Sequence, residues 1–181
     1  MRIDYVSLEA SNFKRLDLRT PLFFHDGTTL VSGQNESGKS TILDAIMFGF
    51  FSRTVRPKSR PKDEDILAYG SNKASVKLSF AVGDRSFLVD RKIFRNKSNE
   101  ANLYECLPGG DMKQIAVKVT AVNSEIQRIL NQLTFDELVA SNIVAQKELN
   151  KVVEQRRSDR ISIINTFLNL DSFNKSIGKA G

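Results

Sequence analysis

The chain has one cysteine, Cys106, and one histidine, His25, in 181 residues. A single thiol cannot close an intrachain disulfide and supplies no zinc site. A reducing compartment is the setting this implies. His25 stands beside Asp26-Gly27, a hairpin signal, so it reads as a surface turn residue rather than a catalytic one. No apolar run approaches the ~20 residues that a membrane-crossing helix needs. The start, Met1-Arg2-Ile3-Asp4-Tyr5, does not read as a signal peptide. A cytoplasmic protein with no membrane partner is the expectation. Internal repeats and low-complexity segments are also missing.

Two more absences bear on chemistry. No apolar strand-like run ends in Asp-Glu. The Asp63-Glu64 pair follows a Pro/Lys loop, and Asp136-Glu137 lies within Thr134-x-x-Glu137, a capping box that opens a short helix. Nor is there a Leu-Ser-Gly-Gly-like segment; Val31-Ser32-Gly33 belongs to a different motif. Of the groups that hydrolysis of a nucleoside triphosphate requires, the acidic pair that holds Mg²⁺ and polarises water has no candidate here.

The composition is that of a soluble domain with a real core, 40% hydrophobic and 27% charged. The formal net charge is +6. That excess suits a nucleic-acid partner, and it is also ordinary for a soluble protein.

The most informative stretch is Gly33-Gln34-Asn35-Glu36-Ser37-Gly38-Lys39-Ser40-Thr41. It has the G-x-x-x-x-G-K-S spacing of a phosphate-binding loop. The apolar run Thr29-Leu30-Val31 precedes it and predicts the incoming strand. Ile42 to Phe48 predicts the outgoing helix. Glycine at 33 and 38 lets the backbone turn tightly and approach a phosphate with no Cβ in the way. Free N–H groups at the helix start, aligned with its dipole, favour an anion. Lys39 adds a full charge for the β and γ phosphates, and the Ser40 hydroxyl is the expected ligand of Mg²⁺.

Taken in order, residues 2–10 alternate and predict a strand. A turn at Asn12-Phe13-Lys14-Arg15-Leu16 and a short strand from Leu16 to Leu18 follow. The helix after the loop, 39–51, is apolar on nearly all faces and should be buried on several sides. Arg53 to Lys62 is a basic, proline-containing connector, readable as a solvated link or as a phosphate-backbone contact. From 73 to 115 the pattern has period two. Val76, Leu78 and Phe80 alternate, as do Phe87, Val89, Arg91 and Ile93, with turns at Gly83-Asp84 and Pro108-Gly109-Gly110. An antiparallel meander is expected. Val122, Ile126, Ile129, Leu130 and Leu133 keep helical spacing, as do Ile161, Ile164, Phe167, Leu168 and Leu170. The divisions are a loop-and-helix core at 1–52, a basic connector at 53–72 and the meander at 73–118. A helical lobe at 119–169 and a terminal segment at 170–181 complete the chain.

These stretches together resemble the amino-terminal half of the ATPase head of the SMC/SbcC family, in its archaeal double-strand-break repair form. The residues that carry the resemblance are Asn12-Phe13-Lys14-Arg15, Gly33 to Ile46, Tyr69-Gly70, Val144-Ala145-Gln146-Lys147-Glu148-Leu149 and Phe167 to Phe173. Their order and spacing span nearly the whole chain. The resemblance implies an α/β P-loop NTPase fold of the ABC/SMC type, with a mixed sheet, an antiparallel β-meander and a helical lobe leading into a coiled-coil root at 170–181. It implies that Lys14 and Arg15 face the phosphates, that Asn35, Glu36, Ser37, Gly38, Lys39, Ser40 and Thr41 wrap them, and that Leu67, Ala68 and Tyr69 lie near the base. Gln146 would be the glutamine that reaches Mg²⁺ and the attacking water; read without the resemblance it is an exposed polar residue at a helix start. Glu36 stands where the SbcC-like loop has glycine, and Lys147 where a glycine commonly follows the glutamine.

The implied function is that of an ATP- and Mg²⁺-dependent ATPase, completed by a carboxy-terminal half. The implied partners are that half, a second copy of the head, an SbcD-type nuclease and double-stranded DNA bound without regard to sequence. Alone, the 181 residues should hydrolyse ATP slowly or not at all. Three alternatives stand beside this one. A chromosome-organising SMC head would share these features. A transporter-type ABC half would need an aromatic stacking on the base before the loop and a membrane partner. A monomeric P-loop phosphotransferase would carry its own acceptor site, with the meander as a lid.

Overall fold

A computed structural model of the chain describes residues 2–35, 37–55 and 62–142. Its contacts divide it into two units, at Gln132/Leu133. This is later than the 118/119 boundary read from the sequence, because the first helix after the meander belongs with the sheet.

In the first unit, the alternating segments become six strands: β1 (Ile3–Ser11), β2 (Leu22–Phe23), β3 (Lys73–Val82), β4 (Arg85–Phe94), β5 (Glu100–Cys106) and β6 (Met112–Val117). They form one sheet in the order β2-β1-β3-β4-β5-β6. Every pairing is antiparallel. The mixed sheet that was expected is therefore not what the described residues form. The reason is local: β3 to β6 are joined by short turns, which permit only antiparallel neighbours. The β3–β4 turn is the two-residue Gly83-Asp84, with φ +60 at Gly83, a conformation that costs glycine little.

One face of the sheet carries the core. Leu8, Val76, Leu78, Phe80, Phe87, Val89, Ile93 and Leu103 all point there and are fully buried. Two helices cover it: α1 (Lys39–Phe51), packed mainly over β3 and β4, and α3 (Val119–Ile129), packed over β5 and β6. Each buried phenylalanine contributes about 1.5–3 kcal/mol. Phe50 meets Phe80 edge-on at 4.9 Å, and Phe80 stacks on Phe87 at 5.4 Å. The opposite face is polar and half-exposed, with Ser7, Glu9, Ser75, Lys77, Ser79 and Lys92 along its rows.

The expected helix at 39–51 has those bounds in the structure, and Asp44 to Phe50 are buried, as its apolar character required. Gly49 allows α1 to approach the sheet. A Cβ there would lie 3.0 Å from Leu78 Cδ2 and 3.1 Å from Leu78 Cβ. Gly49→Val is expected to lower unfolding stability by about 2 kcal/mol through overpacking. A denaturant titration measures this; an unchanged midpoint would show that the helix can lift without cost.

A buried arginine ties down the far end of α1. Arg91 lies on the core face of β4 and is 2% exposed. Its Nε donates to Gly49 O at 2.8 Å and its Nη2 to Phe50 O at 3.1 Å. These are carbonyls of the last helical turn, which have no partner within the helix. Nη2 also donates to Asn123 Oδ1 of α3 at 2.8 Å, and Ser52 Oγ donates to the same oxygen at 3.3 Å. Burial pulls the guanidinium down to about 10, so it remains charged at neutral pH and complements the negative end of the helix dipole.

A short helix, α2 (Asp63–Ile66), precedes β3. The short strand expected from Leu16 to Leu18 is not formed; Leu16 instead makes an isolated bridge with Phe13.

In the second unit, the capping box opens α4 (Phe135–Asn142) as expected. Thr134 Oγ1 accepts from Glu137 N–H at 3.2 Å, and Glu137 Oε2 accepts from Thr134 N–H at 2.8 Å. Those bonds hold the Glu137 carboxyl below its ordinary value. The cap is therefore intact above the ordinary glutamate range and is lost as pH falls through the lowered pKa. The segment carrying Gln146, the later helical spacing and the coiled-coil root at 170–181 lie outside the described residues.

Candidate nucleotide-binding site

The phosphate-loop residues sit at the amino end of α1. Gly38 is the N-cap, with φ +89 and no side-chain cap bond, and there is no acidic residue in the first turn. The helix therefore begins with N–H groups that no capping side chain satisfies, beside the positive end of its dipole. Ser37 N–H donates to Gln34 O at 3.3 Å and Thr41 N–H to Gly38 O at 2.9 Å. A Cβ at Gly33 would come within 2.8 Å of Ser37 Oγ, so the loop closes tightly on itself. Lys39 Nζ donates to Gly33 O at 2.8 Å and Gln34 O at 2.6 Å. The ammonium is thus held inside the loop by two neutral carbonyls, which a phosphate oxygen can outcompete. Asn35, Ser37 and Ser40 are exposed, and Glu36 lies outside the described residues.

The turn at 12–16 packs against this loop. Asn12 and Lys14 have φ 50 and 53, the left-handed region that costs a non-glycine residue about 1 kcal/mol or more. Three anchors hold the turn there. Phe13 is fully buried with its ring 5.5 Å from that of Phe48. Lys14 N–H donates to Ile66 O at 2.6 Å, and Ala68 N–H to Asn12 O at 2.8 Å. Gly38 backs onto it so closely that a Cβ would lie 3.2 Å from Arg15 O. Arg15 is exposed. Lys14 points along the flank of α1, where its Nζ meets Asp44 Oδ2 at 2.7 Å.

Leu67 and Ala68 are brought to the site by those backbone bonds and by the bridge between Phe13 and Leu67. The Leu67 side chain is buried, while Tyr69 is fully exposed. Thus the structure gathers Lys14, Arg15, Gly38 to Thr41 and the 67–68 backbone in one place. The sequence reading missed Asp44. Its signal was there: among residues 41–51 of an otherwise apolar helix, it is the one charged side chain.

The incoming strand differs from expectation. Residues 28–33 form no strand, Leu30 is 88% exposed and Val31 is 39% exposed. An apolar β-former cannot hold a strand without a neighbour to bond with, and β1 is already paired on both sides by β2 and β3.

A triphosphate fits this end of α1: uncapped N–H groups, one ammonium aimed into the loop and no acid in the first turn. Among the described residues no cluster of three His, Cys, Asp or Glu side chains could hold a metal. A Mg²⁺ ion accompanying the phosphates would meet the Ser40 hydroxyl, which is exposed in the first turn of α1. Among the described residues, no helix is long and apolar enough to cross a membrane.

Known proteins agree with this architecture. The family model described as AAA domain matches residues 7–180, and the chain belongs to that family of ATPases. Within it the chain is an SMC/Rad50-like amino-terminal ATPase head. It is 30% identical, over all 181 residues, to the DNA double-strand break repair Rad50 ATPase of Saccharolobus solfataricus, covering 19% of that protein. The Rad50 ATPase of Methanococcus maripaludis is 29% identical over 96% of this chain and 16% of its own. A solved structure of the recombination mediator RecF with ATP superposes with a TM-score of 0.53 at 20% identity, over 96% of this chain and 43% of that one. The chain therefore spans less than a fifth of these curated relatives' length.

Proposed function

We propose that the chain is the nucleotide-gripping half of an ATPase head that works in DNA double-strand-break repair. The observation that carries this is the exposed apolar segment Leu30-Val31 leading into an otherwise complete phosphate loop. Half of a site is present, and the apolar segment that leads into it forms no strand because it lacks a neighbour. The missing neighbour is a carboxy-terminal half of the same head, which also brings the acidic pair.

In this reading Lys39, Ser40 and the amides of 35–41 bind Mg–ATP, and Lys14 and Arg15 close over the phosphates. Leu67, Ala68 and Tyr69 border the base. Gln146 reports on the γ-phosphate to the helices that follow. When bound, ATP supplies the bridge between two engaged heads, and its hydrolysis releases them. Lysine and arginine side chains then hold the DNA backbone without reading bases; Arg53 and Lys62 at the ends of the connector are the candidates. A nuclease of the SbcD type is the partner that cuts the DNA, in the cytoplasm. Names of relatives, the basic charge and the loop geometry support the reading.

Its test is co-purification of the 181-residue chain with a chain carrying the carboxy-terminal half, with and without Mg–ATP. A stable complex is expected, with amide exchange of residues 28–32 slowed. Leu30→Asp should abolish it, because a charge would enter a dry sheet. No complex under any condition, or brisk ATP turnover by the 181 residues alone, would overturn the assignment of half a site.

A further inference from the structure

We infer that the free edge of β6, with the groove between it and α3, takes an extended acidic segment of a partner protein as a further strand of the sheet. This surface lies apart from the nucleotide-binding residues.

β6 is the last strand of the sheet, and among the described residues no strand pairs with its outer side. β2, at the opposite edge, has two residues, whereas β6 has six. The bonds on the inner side decide which main-chain groups face out. Leu107 N–H donates to Asp111 O at the hairpin, and Lys118 N–H to Ala101 O at the far end, both at 2.8 Å. Residues opposite each other in an antiparallel pair alternate between bonded and unbonded. Gln114, opposite Tyr104, and Val117, opposite Asn102, are in the unbonded rows. Their N–H and C=O groups therefore point away from β5. Such a row is a template for another strand.

A cleft of about 620 Å³ runs beside that edge. Residues from Gln114 to Val117 form one wall, and Ala121, Ser124, Glu125 and Arg128 of α3 form the other. The α3 positions recur at helical intervals and make one stripe. Ala121 and Ser124 are small and exposed, which leaves room for an apolar side chain. Arg128, also exposed, closes the other end. Alternate residues of a strand advance about 6.8 Å and a helix turn about 5.4 Å. Side chains on one face of an added strand thus meet successive turns of the stripe. The corner between the two walls is Lys118, at φ 73 and ψ 149. Lysine rarely adopts that conformation, and strain of this kind gathers at functional positions.

Charge selects the occupant. The run from Met112 to Lys118 has two lysines, Lys113 and Lys118, and no acidic residue. Lysines on an edge strand oppose its pairing with a second copy of itself. The same lysines, with Arg128, attract a strand that carries carboxylates. The acids nearby are Glu105 and Glu125, and each already accepts from an arginine, Arg85 and Arg128 respectively. Met112 and Val117, 60% and 49% exposed, add apolar surface at the two ends of the edge.

The experiment follows the fluorescence anisotropy of a dye-labelled octapeptide, Thr-Val-Thr-Val-Thr-Glu-Thr-Glu, as the 181-residue chain is added. Two N-methylated forms carry methyl groups on the odd or on the even residues, so each blocks one edge of the peptide. The parent peptide should bind with a Kd of about 100 µM. One N-methylated form should match it and the other should bind about tenfold more weakly, because strand addition uses a single edge. Lysine in place of both glutamates should also weaken binding about tenfold. Gln114→Pro removes an outward N–H without removing a bond to β5, and Ala121→Phe fills the cleft. Each variant should weaken the parent peptide about tenfold, with urea titrations checking that both are folded. Equal binding by the two N-methylated forms, or by the lysine peptide, would mean adhesion without strand pairing and would overturn the inference. So would wild-type affinity in the two folded variants, or no binding of the parent at about 1 mM. A wild-type dimer that Gln114→Pro makes monomeric would put a second copy on this edge, and would overturn it too.

Discussion

Lys39→Ala is expected to remove the thermal stabilisation that Mg–ATP should give the wild-type chain. At a hundredfold excess over Kd, bound ligand stabilises by roughly 2.7 kcal/mol. In a domain of this size that raises the unfolding midpoint by about 5–10 °C. Lys39 stands in the first turn of α1, and its present bonds are to the neutral oxygens of Gly33 and Gln34. Alanine leaves those two carbonyls in an exposed loop where water replaces the donor, so ligand-free stability changes by less than about 1 kcal/mol. Affinity for Mg–ATP should fall about a hundredfold, because a charge-assisted bond to phosphate is lost with nothing to replace it. Differential scanning fluorimetry with and without nucleotide reads both quantities. A full ligand-induced shift in the alanine variant would move the binding site away from this loop.

Arg91→Met should cost about 3 kcal/mol of unfolding stability. Methionine fills similar volume, but it cannot satisfy Gly49 O and Phe50 O, which would be left unpaired in a dry interior; Asn123 Oδ1 would keep only its bond from Ser52 Oγ. Swapping a buried ion pair for apolar residues is often harmless when both partners are replaced. Here two of the partners are main-chain carbonyls and cannot be. Arg91→Lys should recover less than half of the loss, since one ammonium does not span the fork. The guanidinium keeps its charge up to about pH 10, so the difference between wild type and Met should be flat from about pH 6 to about pH 9. Above about pH 10 the folded chain sheds a proton that the unfolded chain still holds, and the contribution of Arg91 to stability rises with pH. Urea titrations of the three proteins decide it; a loss under about 1 kcal/mol would mean that the clamp carries little.

The elements legible in the sequence were those whose determinants are local. The bounds of α1 follow from Gly38 at one end and the loss of apolar spacing at Ser52. The meander follows from period-two runs with glycine turns, and the Thr134 cap from a four-residue pattern. Leu30-Val31 misled because strand propensity says what a segment does beside a neighbour, and no neighbour is among the described residues. Arg91 was visible as a cation in register with Phe87, Val89 and Ile93, which placed it on the core face. What it would bond to was not, because Gly49, Phe50 and Asn123 converge only through tertiary packing. The same holds for Lys14 and Asp44, thirty residues apart. The phosphate loop itself was fully legible as a motif, while the retracted position of its lysine was not.

The strand connections also set an order of assembly. β3 to β6 join through three successive hairpins, so each closes cheaply and soon after its residues emerge. β1 has to wait, since it docks on β3 across some seventy residues, as in the pairing of Leu8 with Leu78, and a long closure is slow. The whole loop and its helix lie inside that closure. The hairpins are therefore expected to form before β1 docks, so the segment carrying the loop and its helix is the last to be enclosed by the sheet.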